Sequence, residues 1–310
     1  MKNQTTVTEF ILLGLSSDPQ MQIFLFFLFL VIYLITLGGN IVIMVVITAD
    51  SPLHTSMYFF LFHLSFVDIC YSSVTVPKML MKFLAEQKTI SVNGCIAQMF
   101  HFILSAGAEI FILSAMAYDR YAAICDPLHY MQTMSKGICV QLGSGSWTMG
   151  FFYALLNTAF ALKLHFCEPN QINHFSCELP PLLQLSCTET VTNQVVLLTS
   201  AVEFVLSSFL LTLISYIHII STILRIRSAE GRHKAFFTCS SHLIVVGLLY
   251  VTGFLQYTKP SSVSSVVLDE IFSIQYSMLT PMLNPIVYTL KNKEVKTTLR
   301  NILGKFRFLS

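Results

Sequence analysis

The sequence predicts an all-α membrane protein, namely a seven-transmembrane helix bundle with a short amphipathic C-terminal helix. Of its 310 residues, 54% are hydrophobic and only 11% are charged, whereas a soluble domain has about 25% charged residues. Seven segments reach the roughly 20 mainly apolar residues that a membrane-spanning helix needs. The loops leave no room for a soluble domain, so residues 1–310 should form a single domain.

Residues 1–22 are polar and lack the basic-then-apolar order of a cleavable signal peptide. The first apolar run should therefore act as an uncleaved membrane signal, and the bundle should occupy residues 23–290. The tail at 291–310 alternates charged and apolar residues, which predicts an amphipathic helix on the membrane surface. The predicted transmembrane helices one to seven lie at about 23–48, 57–80, 94–124, 138–162, 193–224, 235–258 and 270–290.

The distribution of positive charge predicts how the helices are oriented. About twelve of the 18 Lys and Arg residues lie on the side that holds Arg120, the loop at 225–234 and the tail, and about six lie on the other side. Because cytoplasmic loops are enriched in Lys and Arg, the first side should be cytoplasmic. Seven spans then place the N-terminus outside the cell, in agreement with an N-glycosylation sequon at Asn3.

Four of the eight cysteines fall on the predicted outer side. Cysteines in an oxidising compartment tend to form disulfides, so we expect two bridges among these four, for which three pairings exist. The alternative is that the four thiols stay unpaired. They are Cys95, Cys167, Cys177 and Cys187.

Two carboxylates lie within predicted spans, where ionisable residues are functional candidates. Glu109 lies eleven residues before Arg120, a distance of about 16 Å along a helix, so it should lie near the middle of the membrane. Asp68 in helix two should have a similar depth. Two carboxylates at one depth repel each other unless a proton or a cation lies between them. They therefore bind a sodium ion through oxygen ligands, or they are protonated and hydrogen-bonded.

The apolar run of helix three ends directly at Asp119, Arg120 and Tyr121. A charged pair is costly inside a bilayer, but at the membrane boundary it can be partly hydrated and still be held between helices. On physical grounds alone, these residues are either an interfacial anchor or a conformational switch.

Helices six and seven contain further polar groups. Cys239 and His242 share a face of helix six, but a structural zinc site commonly needs four ligands, so an inter-helix hydrogen bond is the favoured interpretation. In helix seven, Pro281 and Pro285 free backbone carbonyl groups and kink the helix, and Asn284 is suited to bind the freed groups. The kink is either static or a hinge for the inner end of the helix.

Together these residues resemble the odorant (olfactory) receptors of the rhodopsin-like class A G-protein-coupled receptors, with short outer loops similar to the class II (tetrapod-type) branch. The resemblance covers nearly the whole chain. Met-Ala-Tyr-Asp-Arg-Tyr at 116–121, and Lys-Ala-Phe with Thr-Cys and Ser-His at 234–242, are typical of odorant receptors. Other matching residues are Gly39, Asn40, Met57 to Leu61, Leu64, Ser65, Asp68, Ser215, Tyr216 and Pro281 to Tyr288.

Three positions depart from the family's usual residues. Ser56 stands where proline is usual, Ala122 where valine is usual, and Val251 where glycine is usual. None of them removes a signalling residue of the family. We expect Ser56 to alter the entry to helix two and Val251 to reshape the ligand pocket.

The resemblance implies that Cys95 pairs with Cys177 and Cys167 with Cys187, which would hold the second outer loop over a pocket. This pocket would lie between the outer halves of helices three, five and six, and would bind a small volatile molecule mainly by apolar burial. The alternative for each lining residue is ordinary helix packing. The predicted ligand-binding residues are Phe102, Ile103, Ala106, Ser200, Phe204, Tyr250, Gly253, Phe254, Tyr257 and Ser277.

For signalling, the resemblance implies that Asp119 holds Arg120 in the inactive state and releases it as helix six swings out. The partner would be a heterotrimeric G protein of the stimulatory, olfactory type, which raises cyclic AMP. The location would be the plasma membrane, in the cilia of olfactory neurons. The predicted coupling residues are Asp119, Arg120, Tyr121, Tyr216, His242, Asn284, Pro285 and Tyr288.

Other functional classes fit the sequence less well. An enzyme would need a cluster of nucleophiles or metal ligands in the membrane, and only Cys239 and His242 come near one, so we expect no enzyme. A channel or transporter would show inverted repeats or a polar-lined path. We expect no cofactor other than the sodium ion and no nucleic acid partner. Membrane lipid should surround most of the chain. A class A receptor for another small molecule, outside olfaction, is the alternative.

Overall fold

The structure, a computed structural model, describes residues 7–84, 89–258, 266–291 and 293–307. In these ranges seven long helices form a bundle and an eighth helix follows them, as predicted. Helices one to six are Pro19–Ala49, Ser56–Leu84, Val92–Cys125, Lys136–Ala161, Val191–Arg225 and Ala229–Thr258. Helix seven consists of Val266–Ile274, a π-helical turn at Gln275–Leu279 and Thr280–Lys291, and the tail helix is Lys293–Arg307. Shorter helical segments are Ser51–Leu53, Tyr130–Thr133 and Leu179–Gln184.

Polar residues extend the helices beyond the predicted apolar segments. Asp18 caps helix one by accepting a hydrogen bond from the Met21 amide at 3.2 Å, and Ser91 caps helix three by accepting one from the Gly94 amide at 3.1 Å. Such caps satisfy amide groups that have no partner within the helix. Helix six begins at Ala229, six residues before the predicted start, because the polar residues ahead of the apolar segment continue the helix.

Five helices in the described ranges are long and apolar enough to cross a membrane, namely helices one, two, three, five and six. Helix seven falls short because the π-helical turn divides it into α-helical pieces of 9 and 12 residues. Helix four has 26 residues, so its lower hydropathy, and not its length, separates it from the five. Its glycine and hydroxyl residues are typical of helices that pack closely within a membrane.

Helix three lies at the centre, where it packs against helices two, four, five and six. Its contact with helix four leaves no room for side chains at two glycines. A Cβ atom on Gly150 would lie 2.7 Å from the Ala108 nitrogen and from the Leu104 carbonyl oxygen. One on Gly107 would lie 2.8 Å from the Cα of Gly150. The two helices therefore approach backbone to backbone, as small residues allow.

We expect Gly150→Ala to destabilise the bundle, because the added methyl group must displace backbone atoms of helix three. Overpacking of this kind costs about 1–3 kcal/mol, so the purified protein should unfold at a lower temperature in a thermal scan. The control is Gly145→Ala in the same helix, where a Cβ atom would meet nothing within 4 Å. Equal unfolding temperatures for the two variants would contradict the close contact.

A small three-stranded sheet covers one end of the bundle, an element that the prediction of the helical fold did not include. Strand β1 (Glu9–Leu12) lies between β2 (Thr89–Ser91) and β3 (Gln171–Ile172), antiparallel to β2 and parallel to β3. Phe10 of β1 is buried and meets the Phe166 ring edge-on at 4.9 Å. Strands this short show too little alternation to be recognised in a sequence. We call this end of the bundle the capped end and the opposite one the Arg120 end.

Two disulfides fasten the segment between helices four and five at the capped end. Cys95, in the first turn of helix three, pairs with Cys177, and Cys167 pairs with Cys187. Both pairings that the resemblance implied are therefore confirmed. They make this segment a cross-linked lid, which we call the lid segment (162–190).

The tail helix is anchored at the Arg120 end, where it contacts helices one and seven. The Tyr58 hydroxyl donates to Glu294 Oε2 at 2.6 Å, and the Thr298 hydroxyl donates to Asp50 Oδ2 at 2.5 Å. Val295 is buried between these contacts. The predicted helix in the tail is therefore confirmed. It is held by one buried apolar residue and by two hydrogen bonds to the bundle.

Candidate functional site

An aromatic cluster joins helices two, three and seven near the capped end. The Phe102 ring stacks on Tyr71 with centroids 4.9 Å apart and meets Tyr276 edge-on at 5.7 Å. Ile103 is buried in the same apolar core, and Ala106, one turn further along helix three, is half-buried. Ser277 is buried as well, and its hydroxyl donates to the backbone of helix seven. The structure thus brings part of the predicted ligand-binding set together.

Helix five turns its predicted pocket residues toward helix four. Ser200 Oγ accepts a hydrogen bond from the side-chain amide of Asn157 at 3.3 Å. The Phe204 ring stacks on Tyr153 with centroids 4.8 Å apart. Helical spacing shows which residues share a face, but not which neighbouring helix that face meets. The sequence therefore could not assign Ser200 and Phe204 to the interface with helix four.

Helix six presents a different face to the interior from the predicted one. Phe254 is 67% exposed at the surface of the bundle, while Thr252 is buried and Gly253 is half-buried. The expectation that Phe254 lines the interior is corrected, because the inward face passes through Thr252. Tyr250 keeps an inward position, and its hydroxyl donates to Ser208 of helix five at 3.0 Å. The Tyr257 side chain lies outside the described residues, as does Asn3.

A groove of about 460 Å³ opens between Leu179–Gln184 and helix five. It shares no residue with the predicted ligand-binding set. Two glutamine amides and a threonine hydroxyl lie among its apolar side chains, so its surface is only partly apolar. Its lining consists of Pro180, Leu183, Gln184, Thr190, Gln194, Leu197 and Leu198.

Glu178 fastens the lid segment to helix seven. Its carboxylate accepts hydrogen bonds from the hydroxyl groups of Ser176 at 3.0 Å, Tyr276 at 2.7 Å and Ser273. His174 Nε2 lies 3.9 Å from the same carboxylate. Hydrogen bonds to a carboxylate are stronger than those between neutral groups, which compensates for the burial of Glu178. Sequence reasoning missed this residue, because it lies before helix Leu179–Gln184 in the lid segment and its partners on helix seven are distant in the chain.

Asp68 and Glu109 are both buried within the bundle. The side-chain amide of Asn284 donates to both oxygens of Asp68 at 3.0 Å. In the described part of the protein, Glu109 Oε1 has no hydrogen-bond partner. A buried carboxylate oxygen without a partner is costly, so these oxygens could accommodate a proton or a hard cation, which prefers oxygen ligands. No three His, Cys, Asp or Glu side chains gather as a metal site within the described ranges, so a cation here would need further oxygen ligands.

His242 ties helix six to helices three and five. Its Nε2 lies 2.9 Å from the Leu113 carbonyl oxygen, and its Nδ1 lies 2.7 Å from the Tyr216 hydroxyl. Because a carbonyl only accepts, we assign the proton to Nε2, which leaves Nδ1 to accept from Tyr216. Both ring nitrogens are therefore satisfied by protein groups. The predicted inter-helix hydrogen bond is therefore confirmed for His242.

Helix one supports the kink in helix seven. Pro285 has no amide hydrogen, so the carbonyl of Pro281, four residues earlier, is freed. The Asn40 side-chain amide donates to this carbonyl at 3.0 Å. Asn284 was expected in that role but binds the carboxylate in helix two instead. A Cβ atom on Gly39 would lie 2.9 Å from the Pro285 ring, so helix one requires glycine at this contact.

Asp119 and Arg120 are adjacent at the Arg120 end, but no salt bridge joins them; the salt bridges of the described residues lie elsewhere. Instead, Asp119 Oδ1 accepts hydrogen bonds from the Ser56 hydroxyl at 2.5 Å and the Tyr130 hydroxyl at 2.9 Å. This corrects the expectation that Asp119 holds Arg120 in this conformation. Burial raises the pKa of Tyr130 to about 12, so its phenol keeps its proton at neutral pH.

Two further tyrosines from the predicted coupling set flank this region. The Tyr121 ring stacks on Tyr118 with centroids 6.0 Å apart. Tyr288 is buried, and its hydroxyl has no hydrogen-bond partner in the ranges that the structure describes. The Arg120 end therefore contains polar groups that could bind new partners if the helices moved apart.

Comparisons with known proteins agree with the fold and the motifs. The family model described as "Olfactory receptor" matches residues 29–305. The chain is 51% identical to Olfactory receptor 5G3 of Homo sapiens, over 99% of this chain and 98% of that protein. It is 48% identical to Olfactory receptor 5G9 of Mus musculus, over 98% of this chain and 97% of that protein. Squid rhodopsin has the same fold, with a TM-score of 0.72 at 14% identity, over 94% of this chain and 87% of that chain.

Proposed function

Because the chain belongs to the olfactory receptor family of class A G-protein-coupled receptors, we propose that it binds small volatile, mostly apolar odorants and activates a stimulatory (olfactory-type) heterotrimeric G protein, which raises cyclic AMP. The observation that carries the proposal is the family match over residues 29–305. The members are receptors located in the plasma membrane with several spans, so the prediction that the chain is not an enzyme is confirmed.

We place the odorant near the capped end, beneath the lid segment that Glu178 holds to helix seven. The aromatic cluster around Phe102 offers apolar surface, whose burial contributes about 25 cal/mol per Å². Tyr250 and Ser277 supply hydroxyl groups that orient the ligand. Ser200 and Phe204 would contact it only at the side facing helix four, and Phe254 only after helix six turns. The proposed contacts are Phe102, Ile103, Ala106, Tyr250, Gly253, Tyr257 and Ser277, with Ser200, Phe204 and Phe254 at the periphery.

An odorant would act by shifting a population of conformations. A ligand moves such an equilibrium only by its preference for one state over the other. The contacts of His242 with Leu113 and Tyr216 would break as helix six moves outward. Tyr216 and Tyr288 would then hold the opened cavity, with the kink at Asn284 and Pro285 acting as a hinge.

The G protein would bind at the Arg120 end, which we propose to face the cytoplasm. Arg120, with Tyr121 beside it, would contact the protein's inserted tail. The basic residues Arg225, Arg227 and Lys234 would attract an acidic partner surface, since complementary charge speeds association. The capped end would face the exterior of olfactory cilia, and Asn3 would be glycosylated. In this arrangement residues 1–310 are one receptor domain with an extracellular N-terminus at 1–22, a bundle at 23–290 and a cytoplasmic tail at 291–310.

We further propose that a sodium ion binds at Asp68 and Glu109, supported by the unpartnered Oε1 of Glu109. Sodium chloride should then raise the unfolding temperature of the purified receptor above its value in choline chloride at the same ionic strength, because an ion that binds only the folded state stabilises it. Asp68→Asn should lose this difference, while Asp126→Asn, which changes an exposed carboxylate, should retain it. Equal unfolding temperatures of the unaltered receptor in the two salts would leave no role for sodium.

The test of the proposed function is a screen of volatile panels in cells that carry this receptor. Cyclic AMP should rise with at least one volatile, and only in cells that contain the stimulatory G protein. A current that needs no G protein would favour a channel. A response confined to non-volatile molecules would favour the alternative, a class A receptor outside olfaction.

A further inference from the structure

We propose that Ser56 is a positioning residue for signalling. Its hydroxyl group keeps Asp119 from pairing with Arg120, and so leaves the Arg120 guanidinium available to the G protein. The inference rests on the proposed function, which makes the G protein the partner of Arg120. It adds that Ser56 controls whether Arg120 is free to bind this partner.

Three oxygen atoms meet at the start of helix two. Ser56 Oγ lies 2.5 Å from Asp119 Oδ1 and 2.6 Å from the Tyr130 hydroxyl, which lies 2.9 Å from the same carboxylate oxygen. The two hydroxyl groups have only two protons for these three contacts, so the three contacts cannot all be separate hydrogen bonds with a proton of their own. The shortest contact is the one from Ser56 to the carboxylate, as expected for a hydroxyl that donates to a charged oxygen. Ser56 is therefore the principal partner of Asp119.

This hydrogen bonding competes with an ion pair. Asp119 is 1% exposed, and a buried carboxylate needs hydrogen-bond donors or a cation to compensate for lost hydration. The two hydroxyls already meet this need, which reduces what Asp119 would gain from Arg120. If Ser56 loses its hydroxyl, Oδ1 loses its shortest hydrogen bond. The guanidinium on the next residue, Arg120, is then a cation that can replace it.

The position of Ser56 allows a clean substitution. It is the first residue of helix two, where the amide has no partner within the helix and proline is tolerated. The helix itself starts on the Thr55 carbonyl, which accepts from the Phe59 amide at 2.9 Å. Ser56→Pro should therefore preserve the helix while removing the hydroxyl. The proline that usually stands here in the family would lack this contact.

The first measurement is cyclic AMP without added ligand, per receptor at the cell surface. Ser56→Ala and Ser56→Pro should lower it about three- to tenfold, since hydrogen bonds to charged groups are among the stronger ones. Ser56→Thr should restore it, because threonine keeps the hydroxyl. Thr55→Ala, next to Ser56, is the matched control and should change nothing. Unchanged or raised cyclic AMP in both Ser56→Ala and Ser56→Pro would overturn the proposal.

The second measurement requires no G protein. Phenylglyoxal modifies free guanidinium groups, so its rate at Arg120 can be followed by mass spectrometry in the purified receptor, with exposed Arg300 as internal reference. The ratio of the two rates should fall severalfold in Ser56→Ala and Ser56→Pro and recover in Ser56→Thr. An unchanged ratio would refute the competition for Asp119. If the unaltered receptor raises no cyclic AMP with any volatile of the panel, the proposed function fails, and this ratio alone decides the inference.

Discussion

Arg120→Ala should abolish cyclic AMP signalling while leaving the receptor folded and at the cell surface. The loss should be nearly complete, because Arg120 is the cation proposed to meet the G protein at the end of helix three. The fold should survive, because Asp119 does not depend on Arg120. Its Oδ1 accepts hydrogen bonds from Ser56 and Tyr130, so removing the guanidinium does not leave the buried Asp119 carboxylate without partners.

Two measurements on the same cells check this prediction. Surface receptor is counted by antibody against an N-terminal tag, and cyclic AMP is recorded with a volatile that activates the unaltered receptor. Arg300→Ala, which removes an exposed arginine from the tail helix, should retain most of the response. A full response in Arg120→Ala would exclude Arg120 from coupling. Loss of surface receptor would show instead that Arg120 is needed for folding.

Cys95→Ala should remove most of the receptor from the cell surface. The disulfide with Cys177 holds the lid segment to helix three, and loss of a native disulfide typically costs about 2–5 kcal/mol. Without it, the lid segment would depend on Glu178 with its partners on helix seven and on the short pairing of β3 with β1. The remaining bridge, Cys167 to Cys187, lies within that segment and cannot replace the link.

The pairing itself can be tested by comparing single and double variants. Cys95→Ala, Cys177→Ala and the combined variant should lower surface expression equally, because each removes the same bond. Cys70→Ala, at a free cysteine, is the control and should be expressed normally. Normal expression of Cys95→Ala, or a much larger defect in the combined variant than in either single one, would argue against the shared bond.

The helices could be predicted because a membrane-spanning helix needs only a local run of apolar residues. The charged residues at Asp119 and Arg120 could be recognised as well, because they directly follow such a run in the sequence. The rotation of each helix about its own axis could not be predicted from the sequence. Phe254 faces outward and Phe204 packs on Tyr153 of helix four, and these outcomes depend on neighbours that lie elsewhere in the chain. Asn284 shows the same limit, since its amide could have served either the freed carbonyl or Asp68.

The polar contacts of the site were the least accessible to sequence reasoning. Ser56 stood out as a departure from the family, but its partners Asp119 and Tyr130 lie 63 and 74 positions away. Glu178 is likewise held by side chains 95 and 98 positions further on. A pattern in one sequence contains no distances between such residues. Hydrogen bonds across the bundle therefore had to come from the structure, whereas the disulfides followed from the family resemblance.

The small sheet at the capped end has a consequence for biosynthesis. Strand β1 is among the first segments to be made, and β2 follows after two helices, but the parallel partner β3 emerges only after helix four. More than half of the chain must therefore be synthesised before the second edge of β1 can pair. A nascent chain that stalls before residue 171 would leave this edge of β1 without its partner strand. The completed sheet therefore requires that helices one to four have been made and that the lid segment has reached the capped end.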